Sequence, residues 1–300
     1  MPELPDVVTY VEALERFVVR QRLARIRLAS PFLLRTADPP LQAAGGLVVQ
    51  AVRRLGKRIV FVLDGDLFVV IHLMIAGRFH WKPAGAKIPT KIGLAAFDFP
   101  HGTLMLTEAS SKKRASMHLI RGETGLAVFA TGGVEPLEVS ADAFREALRR
   151  ESHTLKRALT DPGVFSGIGN AYSDEILHRA RLSPLKLTRT LDRDEIERLH
   201  AATRATLTEW VERLHAEAGE GFPERVTAFR EGMAVHGRYG QPCPVCGTPV
   251  QRIVYAENEA NYCPTCQVGG RLLADRALSR LLGARRPKTV QDLKTKRRSS

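Results

Sequence analysis

Four cysteines in two close pairs are the strongest constraint that this 300-residue sequence places on its fold. Cys243 and Cys246 are separated by two residues, as are Cys263 and Cys266, with sixteen residues between the pairs. Four thiolates at this spacing suit tetrahedral zinc, and the stretch between the pairs alternates like a hairpin. Because cysteine supplies every ligand, no position is left open for catalysis. We therefore predict one structural Zn²⁺ that holds a hairpin too small to have its own core.

The charge of the chain predicts a polyanionic partner. Lysine and arginine outnumber aspartate and glutamate by 45 to 32, which gives a formal net charge of +13. Ribosomal proteins, nucleases and repair enzymes share this excess, so charge does not distinguish them. No stretch approaches eighteen apolar residues, and the N-terminus lacks the order of a signal peptide. These features, with cysteines suited to a reducing compartment, predict a cytoplasmic protein that is not bound to membranes.

The apolar pattern changes period along the chain. Short apolar runs alternate with glycine, proline and aspartate turns over residues 23–130, which predicts an antiparallel sandwich or barrel. After Ser140 the spacing becomes helical, and a long helix is expected to begin at a capping box of Asp192 and Glu195 and to stop at Gly219. The fold class is therefore α+β with several domains. The predicted segments are a β-sandwich (1–134), a helical domain (135–222), a loop with the zinc finger (223–267) and a basic tail (268–300).

Two short stretches outside the cysteine region could contact phosphate. Gly167 and Gly169 stand directly before a helix that begins near Asn170, and backbone amides at a helix start bind phosphate well. A plain interhelical turn explains the same residues equally well. Lys57 lies between a turn glycine and a strand, where a basic residue is usually only solvated.

The first six residues, Met-Pro-Glu-Leu-Pro-Asp, pose a separate question. Pro5 is explained by the start of a helix, because apolar residues recur at helical spacing after it. Pro2 has no such structural explanation.

Taken together and in this order, "PELPDV", Lys57, "LKRALTD", "GIGNAYSDEIL" and "HGRYGQPCPVC…NYCPTCQ" resemble the formamidopyrimidine-DNA glycosylase/endonuclease VIII family. The likeness extends over residues 2–267 and is closest to the formamidopyrimidine branch. It implies an N-terminal β-sandwich, a helix-two-turn-helix domain and a C-terminal zinc finger. It also implies a monomeric, nucleoid-associated repair enzyme that acts on double-stranded DNA containing damaged bases or abasic sites, with glycosylase and AP lyase activities.

The resemblance assigns the chemistry to the N-terminus. Once Met1 is removed, Pro2 presents a secondary amine, and an α-amino group titrates near pH 8, so a useful fraction is neutral at physiological pH. This amine would attack C1′ of the damaged nucleotide, and Glu3 would act as general acid and base on the sugar ring oxygen. By the same resemblance, Lys57 would contact the phosphate beside the lesion, and Lys156 and Asn170 would grip the DNA backbone.

The loops that read the lesion depart from the family pattern. Such an enzyme flips its nucleotide out and fills the gap with side chains. Met74 is displaced by one position, so Ile75 is the alternative wedge. Asn258 stands where the finger's arginine is expected. The second loop carries basic residues and no aromatic one: Lys112, Lys113 and Arg114.

Two other classes of function remain open from the sequence. The first is a non-catalytic protein on the same fold that binds damaged DNA or a DNA structure, which the altered loops favour and the retained Pro2, Glu3 and Lys57 oppose. The second is a basic zinc-ribbon protein that binds RNA, suggested by charge alone. Oxidised pyrimidines, ring-opened purines and bulkier bases are all compatible substrates.

Overall fold

The computed structural model describes residues 1–224, 226, 230–255, 258–273 and 288–292. They divide into a first unit, Met1–Gly132 with Glu209–Ala228, and a second unit, Gly133–Thr208 with Phe229–Ser300. The helical segment predicted to end at 222 is thus shared between the units. Most of the predicted tail lies outside the described residues.

The first unit is a sandwich of two antiparallel four-stranded sheets preceded by a helix. The described elements are α1 (Leu4–Val18), β1 (Arg25–Leu28), β2 (Val49–Leu55), β3 (Arg58–Leu63), β4 (Leu67–His72), β5 (Gly77–Lys82), β6 (Gly93–Phe99), β7 (Gly102–Glu108), β8 (Ser116–Arg121) and α2 (Glu123–Ala127). The strand orders are β1-β6-β7-β5 and β2-β3-β4-β8, and every pairing is antiparallel. Short 3₁₀ turns occupy Pro31–Leu33 and Leu41–Ala44.

An apolar core joins the two sheets and α1. Phe61 of one sheet stacks on Phe97 of the other, with ring centroids 5.8 Å apart. Tyr10 of α1 is fully buried against the edge of Phe79. Alternating strand residues supply the rest of this core, as the period-two pattern requires. The predicted antiparallel sandwich is confirmed.

Helices form most of the second unit. They are α3 (Ala141–Arg149), α4 (Leu155–Thr160), α5 (Asn170–Ala180) and α6 (Arg193–Ala218), with a 3₁₀ turn at Thr188–Thr190. The last turns of α6 belong to the first unit. The capping box is confirmed, because the N–H of Asp192 donates to Glu195 Oε2 and the N–H of Glu195 donates to Asp192 Oδ1. The helix ends before Gly219, whose φ is +54°.

The cysteine segment forms the predicted hairpin. Strands β9 (Gln251–Tyr255) and β10 (Asn258–Tyr262) pair antiparallel between the two cysteine pairs, and α7 (Pro264–Val268) carries the last cysteine. Farther along the chain, Leu272 N–H donates to Lys288 O and Val290 N–H donates to Gly270 O, so residues 288–290 pair with the end of the finger. Among the described helices, none is long and apolar enough to cross a lipid bilayer.

Candidate functional site

The start of α1 fixes the two N-terminal residues that the sequence singled out. Pro2 and Glu3 directly precede the helix and are buried. The N–H of Glu3 donates to Asp6 Oδ2 at 2.9 Å, which satisfies an amide at the helix start. Because α1 packs its apolar face into the sandwich core, these residues have a fixed position on the first unit.

Charged side chains surround the amino group of the chain. Burial lowers the pKa of the Met1 amino group below its usual value. The cations Arg78 and Lys57 lower this pKa further, whereas the carboxylates of Glu3 and Asp6 act in the opposite direction. A lowered pKa leaves more of an amine neutral and nucleophilic at physiological pH. Arg78 was not among the predicted residues, because a single arginine in a strand carries no sequence signal.

Lys57 occupies a tight hairpin between β2 and β3. Leu55 pairs with Arg58, so Gly56 and Lys57 alone form the turn. The φ of Gly56 is +60°, a conformation that suits glycine at the first position of such a turn. The lysine is therefore held by two paired strands, on the same unit as Pro2.

His72, at the end of β4, is a second residue that the sequence analysis missed. Burial lowers the pKa of His72 to about 4, and the nearby charges of Arg58 and Lys57 contribute. The imidazole is therefore neutral at pH 7. Its Nδ1 accepts the N–H of Met74 at 3.0 Å, so the ring proton lies on Nε2. His72 thus offers a neutral donor close to two cations, an arrangement that suits a phosphate oxygen.

The loop between β4 and β5 presents Ile75 to solvent. Met74 is half-buried and has a left-handed φ of +53°, whereas the side chain of Ile75 is 54% exposed. A Cβ at Gly77 would lie 2.2 Å from the carbonyl oxygen of Leu73, so the loop closes only with glycine there. Arg78 donates to the carbonyl oxygens of Ile75 and Gly77. The backbone is thus held on both sides of one exposed aliphatic side chain.

The basic loop after β7 is organised by the buried carboxylate of Glu108. Its oxygens accept the N–H groups of Arg114, at 2.9 and 3.1 Å, and of Ala115, at 3.1 Å. Lys113 Nζ donates to the main-chain oxygen of Glu108. Lys112 is exposed. One acidic residue therefore shapes the segment that carries all three basic candidates.

The glycine turn before α5 has the form that the sequence suggested. Gly167 has a φ of +81°, Gly169 is the N-cap and Asn170 is the first helical residue. Lys156 Nζ donates to the carbonyl oxygen of Asn170 at 2.7 Å and to Asp174 Oδ1 at 2.5 Å. The lysine side chain is only 11% exposed. Its ammonium is thus bound within the second unit, and its predicted contact with DNA stays a prediction.

A buried polar network extends from this ion pair to the zinc finger. Asp174 Oδ2 also lies 2.8 Å from His236 Nδ1 and accepts from the side-chain amide of Asn261 at 3.3 Å. Both carboxylate oxygens of Asp174 therefore have hydrogen-bond partners within the second unit. Nothing in the sequence pairs these residues, since they are 62 and 87 positions from the aspartate.

The four cysteines meet as the sequence predicts. Their sulfur atoms all lie within 4.8 Å of one another, with 4.0 Å between Cys243 and Cys266 and 3.4 Å between Cys246 and Cys263. Zn–S bonds of about 2.3 Å in a tetrahedron imply sulfur separations of about 3.8 Å. The donor set therefore fits one structural zinc ion. Asn258 begins β10 of the same finger.

Models of known protein families match the N-terminal unit, the helical segment and the zinc finger of this chain. Residues 1–118 match the model of the formamidopyrimidine-DNA glycosylase N-terminal domain, and residues 133–218 match that of the formamidopyrimidine-DNA glycosylase H2TH domain. Residues 240–268 match the zinc finger found in FPG and IleRS. The matches follow the order of the predicted motifs.

Individual relatives agree with these family models. Formamidopyrimidine-DNA glycosylase of Thermus thermophilus is 34% identical over 280 residues, which cover 90% of this chain and 100% of the relative. An uncharacterized formamidopyrimidine-DNA glycosylase-like protein of Mycobacterium tuberculosis is 43% identical over 150 residues, or 50% of this chain and 93% of the relative. The Lactococcus lactis Fpg in complex with DNA containing an abasic site has a TM-score of 0.79 at 26% identity, covering 89% of this chain and 99% of that one. The resemblance in the motifs is thus confirmed, and the chain belongs to the formamidopyrimidine-DNA glycosylase family, whose members are base-excision repair DNA glycosylases with AP lyase activity.

Proposed function

We propose that Pro2, after removal of Met1, is the nucleophile with which this enzyme excises damaged bases and cleaves the DNA strand. The observation that carries the proposal is the burial of Pro2 and Glu3 at the start of α1, in a corner where burial, Arg78 and Lys57 lower the pKa of the amino group of the unprocessed chain. The pyrrolidine nitrogen attacks C1′ of the damaged nucleotide as the bond from C1′ to the base breaks. The departing base takes the bonding electron pair and a proton.

The second half of the reaction uses the same covalent bond. Opening of the sugar ring converts the adduct into an iminium ion, with the proton on the ring oxygen supplied by Glu3 as general acid. The iminium makes a C2′ proton acidic. Its removal expels the 3′ phosphate, and water then hydrolyses the iminium to release Pro2. One amine thereby supports glycosylase and lyase steps.

DNA contacts are proposed for each unit separately. On the first unit, Lys57 and the Nε2–H of His72 bind phosphate oxygens beside the lesion. On the second unit, the amides at the turn Gly167–Asn170 bind the backbone, as helix starts commonly do. Asn258 provides a further polar contact from the finger. The partner is damaged DNA at the nucleoid in the cytoplasm, in keeping with Lactococcus lactis Fpg structures that contain an abasic site or an oxidized pyrimidine.

We propose that Ile75 and the basic loop fill the gap left by the flipped nucleotide. Ile75 is the exposed side chain of its loop, whereas Met74 is half-buried. The other loop offers Lys112, Lys113 and Arg114 toward the unpaired base on the opposite strand. An aliphatic wedge unstacks bases without hydrogen bonds to them, so it serves for several kinds of damaged base.

Borohydride trapping tests the nucleophile and the wedge together. Untagged enzyme, with Met1 removal verified by mass spectrometry, is incubated with duplexes that carry an abasic site, an oxidised pyrimidine or a ring-opened purine. We expect a covalent adduct at Pro2 and none with Pro2→Gly, which should keep duplex binding. Ile75→Ala should slow trapping on the base lesions more than on the abasic duplex, since the abasic site has no base to unstack. The matched control is Ile92→Ala, another exposed isoleucine of the first unit.

An adduct formed by Pro2→Gly at the unmutated rate would overturn the assignment of the nucleophile. Tight binding with no adduct on any duplex would instead mean that this chain recognises damage without catalysis.

A further inference from the structure

Helix α5 is buried around almost its whole circumference, although it carries several polar side chains. Ser173, Asp174, Glu175 and His178 are all at most 6% exposed. A buried polar group costs free energy unless it is hydrogen-bonded, so each of these side chains needs a partner. Ser173 satisfies the carbonyl oxygen of Gly169 within its own helix. The other three side chains contact the segment that leads into the zinc finger, or the finger itself.

Glu175 fixes α5 against that segment. Its two carboxylate oxygens accept the N–H groups of Ala234 at 2.6 Å and of Val235 and His236, both at 2.9 Å. Asp174 binds the ring of the same His236. Two adjacent carboxylates thus set the position of α5 relative to the backbone that lies seven to nine residues before Cys243.

His178 lies one turn farther along α5 and reaches a zinc ligand. Its Nε2 lies 3.3 Å from the Sγ of Cys243, within hydrogen-bond distance for sulfur, and both side chains are buried. The four cysteines already complete a tetrahedron, so the imidazole is not needed as a ligand. A metal-bound thiolate keeps lone pairs that accept N–H hydrogen bonds, and such outer contacts tune the metal site.

We propose that His178 donates a hydrogen bond from Nε2–H to the Cys243 thiolate and thereby slows the loss of zinc and the oxidation of the finger. The donated proton withdraws charge from the sulfur, which makes it a weaker nucleophile toward peroxide and other electrophiles. The imidazole also covers one side of the sulfur. His178 is therefore a positioning residue for the zinc site, with no role in base excision.

Zinc release from the full-length, zinc-loaded protein tests this role. His178→Phe keeps a ring and removes the donor, whereas His178→Gln keeps an N–H at a similar distance from the backbone. The matched control is His200→Phe, because His200 also packs against a ring on the second unit and its Nε2–H donates to the carbonyl oxygen of Val139 at 3.1 Å. Release is followed with a chromogenic chelator, with and without hydrogen peroxide.

We expect His178→Phe to release zinc about 10-fold faster, since loss of an outer-shell partner commonly weakens metal sites by about 10- to 100-fold. His178→Gln and His200→Phe should behave like the unmutated protein. In cobalt-substituted protein, the sulfur-to-cobalt charge-transfer band should move to longer wavelength only in His178→Phe. Equal release from all variants would overturn the proposal, as would a Gln variant that is as fast as the Phe variant.

One measurement needs no substitution and covers the case in which His178→Phe does not fold. In the ¹¹³Cd-loaded protein, a scalar coupling between cadmium and the Nε2 proton of His178 requires a hydrogen bond through the Cys243 sulfur. Its detection would support the proposal. Its absence, with the histidine and cadmium signals both assigned, would refute it.

Discussion

The two units position their functional residues by different physical means. In the first unit, apolar packing holds these residues in place: α1, the hairpin that carries Lys57 and the loop between β4 and β5 that carries Ile75 all extend from the sandwich core. In the second unit, the turn before α5 and the finger are held by ionised side chains, two imidazoles and four thiolates. Dispersed apolar contacts tolerate single changes better than a network in which each polar atom depends on its partner. The second unit should therefore be the more fragile one.

Size accounts for much of this contrast. Eight strands and a helix bury a continuous apolar core, whereas the matched finger extends only from 240 to 268. So short a segment cannot bury enough apolar surface to fold independently and depends on a metal or on polar contacts with its neighbours.

Loss of zinc should produce the largest difference in stability between the two units. Structural zinc contributes on the order of 10 kcal/mol to the folding of small fingers, so we expect Cys246→Ser to lose the metal and most duplex affinity. The first unit should remain folded. Both tryptophans of the chain, Trp81 and Trp210, belong to that unit, and Trp81 packs against its core, so tryptophan emission follows the folding of the first unit. Metal analysis, fluorescence anisotropy with a labelled duplex and tryptophan emission measure the three properties. Unchanged duplex affinity in the zinc-free variant would show that the finger is not needed for binding.

Removal of the Asp174 carboxylate should have the next largest effect. Asp174→Ala removes the carboxylate that binds the ammonium of Lys156 and the ring of His236 in the interior, and breaking a buried pair typically costs about 3–5 kcal/mol. Hydrogen exchange should show this loss of stability as faster exchange of the backbone amides in α4 and α5. The matched control is Glu123→Ala, which breaks the exposed ion pair with Arg53 in the first unit and should cost below about 1 kcal/mol. Similar losses in both variants would contradict the contrast between the units.

A pH titration sharpens the comparison, because His72 is a half-buried titratable group within the apolar unit. Its folded pKa of about 4 lies below the unfolded value of about 6.5, so the unfolded chain binds the proton more readily. The stability from this group is complete above pH 6.5 and is lost as the pH falls toward 4. Between pH 7 and 4.5 we expect a differential loss of about 2 kcal/mol relative to His72→Asn, whose side chain can still accept the N–H of Met74. Urea unfolding, monitored by tryptophan emission, measures the free energy of unfolding of both proteins at each pH. Parallel pH profiles for the two proteins would show that the pKa of His72 is not lowered in the folded state.

Local signals in the sequence predicted most of the architecture. Strand alternation, the Asp192–Glu195 capping box and the cysteine spacing each depend on residues close together in the chain, and the structure contains all three. The predicted domain boundaries and roles of individual site residues remain predictions.

The polar contacts between distant residues could not be predicted. His178 is 65 positions from Cys243, and the helical period shows that a face is buried without showing what covers it. For the same reason the sequence did not show that Asp174 binds the predicted DNA-contacting residue Lys156 in the interior. Arg78 and His72 were missed because the strands bring them to the site and no motif marks them.

The loop between β4 and β5, which carries Ile75, keeps the residues that shape its backbone apart from the side chain proposed to contact DNA. The left-handed Met74 and the close approach at Gly77 determine the backbone, and Ile75 between them makes little contact with the core. Substitutions at position 75 therefore change the surface offered to DNA at little cost in stability. With Ile75 as the proposed wedge, changes at this one position would vary the lesions accepted while the sandwich stays the same.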